Sequence, residues 1–219
     1  MSAGPIYIYG ARGHGRVLAD ILLARGDGDF AGFVDDNDQL LGEKVLGLPV
    51  FGGAGWLEQQ SQRGRVRVAL GIGDSRGRER LVHRCGDLGI QIVTLVHPSA
   101  SVSRTANLAP GSVVMAQAAI NPNAQIGRGA IVNTGAVVEH DVEVGDFAQV
   151  APNAAVGGAS RMGQHCFLGM GAVVIQCVNV GRDTIVGAGA VVVRDLPDGV
   201  LAIGVPARVV RGVVEAVQT

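Results

Sequence analysis

Ile126-Gly127-Arg128-Gly129-Ala130-Ile131 and Val132-Asn133-Thr134-Gly135-Ala136-Val137 are consecutive hexapeptides in a run that extends from Val102 to Val192. Every sixth residue of the run is aliphatic or Met. The series passes through Leu108, Val114, Ile120, Val138, Val150, Met162, Leu168 and Val180 without a slip in register. Four residues after these positions sit small ones such as Ala124, Ala130, Ala136, Ala148 and Ser160, with Val142 and Val178 in the same slot. Neither a helix nor an alternating strand has this period. It is the signature of a hexapeptide β-helix. The large aliphatic residues fill a three-sided prism, one hexapeptide per face. The small ones sit near the corners, and Gly, Asn and Asp take the tight turns.

Composition agrees with a narrow, repetitive core. Of 219 residues 34 are Gly, and aromatics are only 4%. A formal net charge of −1 gives no basic footprint for nucleic acid. No apolar run approaches a membrane span, and the N-terminus lacks a secretory pattern. Cys85, Cys166 and Cys177 show no metal spacing, so reduced thiols in a cytoplasmic protein are expected.

Ahead of the repeat the pattern changes. Ile6–Tyr9 reads as a buried strand. It is followed by the turn Gly10-Ala11-Arg12-Gly13-His14-Gly15 and a helical pattern through Val17, Leu18, Ile21 and Leu22. The glycine spacing is not the dinucleotide fingerprint. It still lets backbone N–H groups at a helix N-terminus approach an anion. A tight turn without ligand fits the same residues, and for His14 ligand contact and local turn bonding both fit. Ala31–Val34 reads as a second strand, ending in Asp35-Asp36, a pair suited to a ribose or base or to a solvated turn. Trp56 reads as a packing anchor. Val66–Leu70 is a third strand, ending in Gly71-Ile72-Gly73, with Ser75 placed to cap the next helix. Ile90–Val96 is a fourth strand. Alternating strands and helices predict a small Rossmann-like parallel α/β domain over residues 1–97. A β-helix domain with a C-terminal tail follows over 98–219. The ligand edge of the first domain collects Gly13, His14, Gly15, Asp35, Asp36 and Gly73.

Three histidines lie at or above the base of the prism: His97, His140 and His165. None forms the spaced pair that a zinc site needs, so no metal is expected. His165 occupies a corner slot suited to packing or to contact between copies. His140 lies two residues past the inward Val138, on a face that can point outward, with Asp141 directly after it. A neutral imidazole is a suitable general base near neutral pH, and a carboxylate on its other nitrogen fixes the tautomer. A solvent-facing His beside a turn Asp fits the same spacing.

Taken together, Ile6–Gly15, Asp35-Asp36, the unbroken hexapeptides, Asn133–Asp141, Cys166-Phe167-Leu168-Gly169 and Gly204-Val205-Pro206-Ala207 resemble one known family over essentially the whole chain. It is the bacterial sugar-nucleotide N-acetyltransferases that act on 4-amino-4,6-dideoxy sugars, as in bacillosamine and perosamine synthesis. The resemblance implies a left-handed β-helix assembled as a homotrimer, with acetyl-CoA between neighbouring prisms. It implies a UDP- or GDP-linked amino sugar on the N-terminal domain at Gly13, His14, Gly15, Asp35, Asp36 and Gly73. It implies His140 as general base, Asp141 as its tuning acid, and Gln149, Met170 and Ala188 as the acetyl-CoA contacts. Many relatives carry a second His where this chain has Gln149, so the acyl-group contact departs from the family pattern here. Two alternatives share these features: an O-acetyltransferase acting on a sugar hydroxyl, as in the sialic acid branch, and a non-catalytic trimeric sugar-nucleotide-binding protein.

Overall fold

The computed structural model describes residues 4–213. Its contacts divide the chain between Pro98 and Ser99 into two compact units.

The first unit is a parallel sheet with helices. Its elements are β1 (Ile6–Tyr9), α1 (Gly13–Arg25), β2 (Phe30–Val34), β3 (Lys44–Val45), β4 (Leu48–Phe51), α2 (Ala54–Arg63), β5 (Arg67–Leu70), α3 (Ser75–Asp87), β6 (Gln91–Ile92) and β7 (Leu95–Val96). The sheet runs β3-β4-β2-β1-β5-β6, and only the β3–β4 hairpin is antiparallel. β1 is central and wholly buried, as its apolar run requires. Trp56 stacks on Phe51 at 4.4 Å and meets Tyr7 edge-on at 5.1 Å, so it is the packing anchor that its sequence context suggested.

Two local expectations are corrected. The cap of α3 is Asp74, whose carboxylate accepts from the Gly77 N–H, while Ser75 is the first helical residue. A carboxylate one position earlier has the reach that Ser75 lacks. The stretch from Ile90 to Val96 is not one strand but two short ones, Gln91–Ile92 and Leu95–Val96.

The second unit is a left-handed parallel β-helix of two-residue strands. Partners lie eighteen residues apart, as in Val137↔Ala155, Glu143↔Arg161 and Gln149↔Phe167. The inward series is buried: Val138, Val150, Val156 and Leu168 are each 0% exposed. So are the small residues of the corner slot, Ala124, Ala136 and Ala148.

Every sixth residue from Gly111 to Gly189 has positive φ, one at each corner. Gly, Asn and Asp fill many of these positions. Gln117, Phe147, Ala159, His165 and Cys177 are held in the same conformation. The ladder of hydrogen bonds between coils imposes the turn even where a side chain disfavours it. The glycines that follow inward residues answer to a different constraint. A Cβ at Gly145 would come within 2.7 Å of the Gln164 nitrogen in the next coil. The prism ends in strands Val200–Ile203 and Arg208–Gly212, an antiparallel pair where sequence reading expected only a tail.

Candidate active site

The corners form three ladders, each stitched by one backbone bond per coil. The first passes through Pro122, His140 and Gly158, with the Asp141 N–H on the Pro122 carbonyl and the Ala159 N–H on the His140 carbonyl, both at 3.0 Å. The second passes through Arg128, Asp146 and Gln164. The third passes through Thr134, Pro152, Met170 and Ala188, joined by Gly171 N–H to Pro152 and Gly189 N–H to Met170.

His140 stands on the first ladder with its side chain 62% exposed. Its backbone is clamped from both neighbouring coils, and only the ring projects. Nδ1 lies 2.8 Å from Asp141 Oδ2. Asp141 Oδ1 accepts from Asn123 Nδ2 at 3.1 Å. The hydrogen bond from His140 and then that from Asn123 hold the Asp141 carboxyl below its usual range. An ionised carboxylate only accepts, so Nδ1 is the donor and Nε2 keeps its lone pair free to take a proton. On the following coil Gly158 makes room for the ring, since a Cβ there would lie 2.7 Å from Nε2. The sequence expectation for this dyad, an outward imidazole backed by a carboxylate, describes the geometry found.

Gln149 is half-buried on the face that follows the second ladder, paired with Phe167. Met170 (60% exposed) and Ala188 project from the third ladder. Within one chain these three therefore do not join His140, which occupies a different edge. On the second ladder His165 is buried and stacks on Phe147 at 5.3 Å, which makes it a packing residue.

In the N-terminal unit a cleft of about 430 Å³ is lined by Gly10, His14, Asp35, Gly71 and Gly73, at the carboxyl ends of β1, β2 and β5. α1 begins there with no side-chain cap. Its first-turn N–H groups and the helix dipole thus favour an anion. Gly13 and Gly73 have open space where a Cβ would stand, so backbone is bare at both. Gly15 has a structural task, because a Cβ there would collide with the Gly10 carbonyl. Asp35 braces the loop, accepting from Ala11 N–H at 2.8 Å and Asn37 N–H at 2.9 Å.

Asp36 points away from the cleft that Asp35 lines. One oxygen accepts from Tyr9 Oη at 2.6 Å and the other from Ala54 N–H at 2.9 Å, facing a second cleft that Arg80 and Arg84 also line.

His14 is half-buried beside this loop, its pKa lowered to about 4 first by desolvation and then by Arg78, so the ring is neutral. Arg78 is 1% exposed and donates to the carbonyls of Gly73 at 2.6 Å and Ile72 at 3.3 Å. Burial lowers its pKa to about 10, leaving it charged at neutral pH. Sequence reading missed Arg78. Its one signal is an Arg on the apolar side of a helix that otherwise buries Leu81, Val82 and Cys85. Among the described residues no His, Cys, Asp and Glu side chains group as metal ligands.

Residues 5–85 match the family described as the PglD N-terminal domain. The UDP-N-acetylbacillosamine N-acetyltransferase of Bacillus subtilis (strain 168) is 35% identical over 119 residues, so the match spans about half of each chain, 51% of both. Among solved structures, a His-to-Ala variant of the GDP-perosamine N-acetyltransferase from Caulobacter crescentus, in complex with CoA and GDP-perosamine, is 44% identical. It superposes with a TM-score of 0.90, covering 95% of this chain and 97% of that one. The acetyltransferase domain of PglB from Neisseria gonorrhoeae FA1090, in complex with acetyl coenzyme A, is 34% identical with a TM-score of 0.88, covering 95% and 100%. On likeness of this extent, spanning both units, the chain belongs to the bacterial sugar-nucleotide N-acetyltransferases of the hexapeptide-repeat type.

Proposed function

We propose that this protein transfers the acetyl group of acetyl-CoA to the 4-amino group of a nucleotide-linked 4-amino-4,6-dideoxy sugar. The observation that carries the reading is the exposed His140 ring with Asp141 on Nδ1 and Nε2 unengaged. The sugar amine attacks the thioester carbonyl, and Nε2 takes the proton that the nitrogen must lose. The tetrahedral adduct collapses, breaking the C–S bond, and CoA leaves as thiolate. The proton then passes from the imidazolium to the thiolate or to water. Asp141 supports the imidazolium while it exists. Placing two substrates together supplies much of the acceleration, and the proton transfer adds about 10²–10⁴-fold.

The nucleotide is assigned to the cleft at Gly13, His14, Gly15, Asp35 and Gly73, where the bare N-terminus of α1 suits a diphosphate. Asp36 would act from behind, by holding Tyr9 and the start of α2. The relative crystallised with GDP-perosamine is 44% identical over nearly its full length, against 34% for the PglB domain, which favours a GDP-linked sugar. Acetyl-CoA is assigned to Gln149, Met170 and Ala188. The Gln149 amide can donate a hydrogen bond to the acyl oxygen but cannot act as a base.

Because those residues and His140 occupy different edges of one prism, the reading includes a homotrimer in which neighbouring copies bring the two edges together. Free thiols and the chemistry of both substrates fit a cytoplasmic enzyme.

The test is steady-state acetyl transfer to GDP- and UDP-linked amino sugars and to hydroxyl acceptors. His140→Asn is expected to lower kcat by about 10²–10⁴-fold with the KM for acetyl-CoA little changed. Wild-type turnover in that variant would remove His140 as the base. Transfer only to a hydroxyl would move the enzyme to the O-acetylating class.

A further inference from the structure

The first corner ladder carries more than the dyad. Ser103 Oγ lies 3.2 Å from Thr105 Oγ1, Thr105 Oγ1 accepts from the Asn123 N–H at 3.0 Å, and Asn123 Nδ2 donates to Asp141 Oδ1 at 3.1 Å. Each of the last two steps spans eighteen residues, one coil. Polar side chains are thus stacked along one edge and end at His140 Nδ1.

The Asp141 side chain is 53% exposed, so burial does little to orient its carboxylate. Its side-chain partners among the described residues are His140 and Asn123. The neighbour on the other side of the ladder, Ala159, has no polar atom to offer. A carboxylate bound only to an imidazole is free to turn about its own bond, and the ring turns with it. A second donor on the opposite oxygen removes that freedom.

We infer that Asn123 is a positioning residue for acetyl transfer, fixing the Asp141 carboxylate and through it the tautomer and direction of the His140 ring. The inference rests on the reading of His140 as base. It adds a residue seventeen positions away from His140 in sequence.

Asn123 has φ +62°, a conformation that Gly and Asp also accept. Asn123→Gly and Asn123→Asp should therefore both fold, which melting curves check. Neither can donate to Asp141. If Asn123 matters only for its turn, Asn123→Gly keeps wild-type turnover, while Asn123→Asp adds the repulsion of a second carboxylate beside Asp141. If it matters as a donor, both lose kcat by roughly ten-fold, the equivalent of one ordinary hydrogen bond, with the KM for acetyl-CoA unchanged. In an Asp141→Asn background the further change Asn123→Gly should cost little, because its route of action is already gone.

A readout without turnover separates this idea from the one beneath it. Imidazole nitrogen NMR of the free enzyme is expected to show His140 protonated at Nδ1 in the wild type and a tautomer mixture in Asn123→Gly. His140→Asn at wild-type turnover would sink the base while leaving the tautomer result to judge the seat. Wild-type kcat and an unchanged tautomer in Asn123→Gly would overturn the positioning role, as would a full loss persisting beside Asp141→Asn.

Discussion

His14 is neutral in the folded protein, its pKa lowered to about 4, whereas in an unfolded chain it titrates near 6.5. Between those values the unfolded chain binds a proton that the folded chain does not. Stability from this residue is therefore lost as pH falls from about 6.5 toward 4, by on the order of 2–3 kcal/mol at the acid end. His14→Gln should flatten that part of the pH dependence, measured by urea unfolding between pH 7 and 4.5. An unaltered slope in the variant would mean that other groups set it. Residues of this kind mark what could be read from sequence. His140 and Asp141 were legible as an exposed pair because the repeat fixes Val138 inward and brings a corner two positions later, where a ring can face out. Asn123 and Arg78 were not. Asn123 acts on a partner eighteen residues along the chain, and Arg78 on carbonyls of the loop just ahead of its own helix, contacts that the residue types alone do not announce.

At the scale of elements, the cap of α3 separates two readings of Gly73-Asp74-Ser75. Asp74 accepts from the Gly77 N–H, so Asp74→Ala should lower the stability of the N-terminal unit by about 1 kcal/mol. Ser75→Ala, within the first turn, should change it by a few tenths. Chemical denaturation resolves the difference, and equal effects would return the cap to Ser75. The strands of the α/β unit were legible where apolar runs are long, as at Ile6–Tyr9. The break between Ile92 and Leu95 was not, because Val93 and Thr94 are β-branched residues that suit a strand and carry no turn mark where pairing changes. The β3–β4 hairpin was missed for a related reason. Its first strand has two residues, too few for any alternation to show.

For the whole molecule, the separation of edges makes a demand. His140 and the Met170–Ala188 ladder belong to different corners, so under the proposed assignment of acetyl-CoA a chain acting alone would not unite base and thioester. Light scattering on the purified protein is expected to give the mass of about three copies. Full specific activity from a monomer would require another acetyl-CoA site. The architecture was readable almost entirely from the six-residue period, since a prism repeats one local rule. That Asp35 and Asp36 line two different clefts was not legible, because adjacent residues just past a strand end can point to opposite sides.

The eighteen-residue spacing of partners along each edge also limits how such a chain can change length. Deleting one hexapeptide would turn everything downstream by a third of a revolution and carry Met170 to another edge. Removing or duplicating a complete winding beyond the His140 corner would leave every remaining edge in line, at a different height. Genes for such spools should therefore grow and shrink by whole windings, and lengths in between should be rare among functional copies.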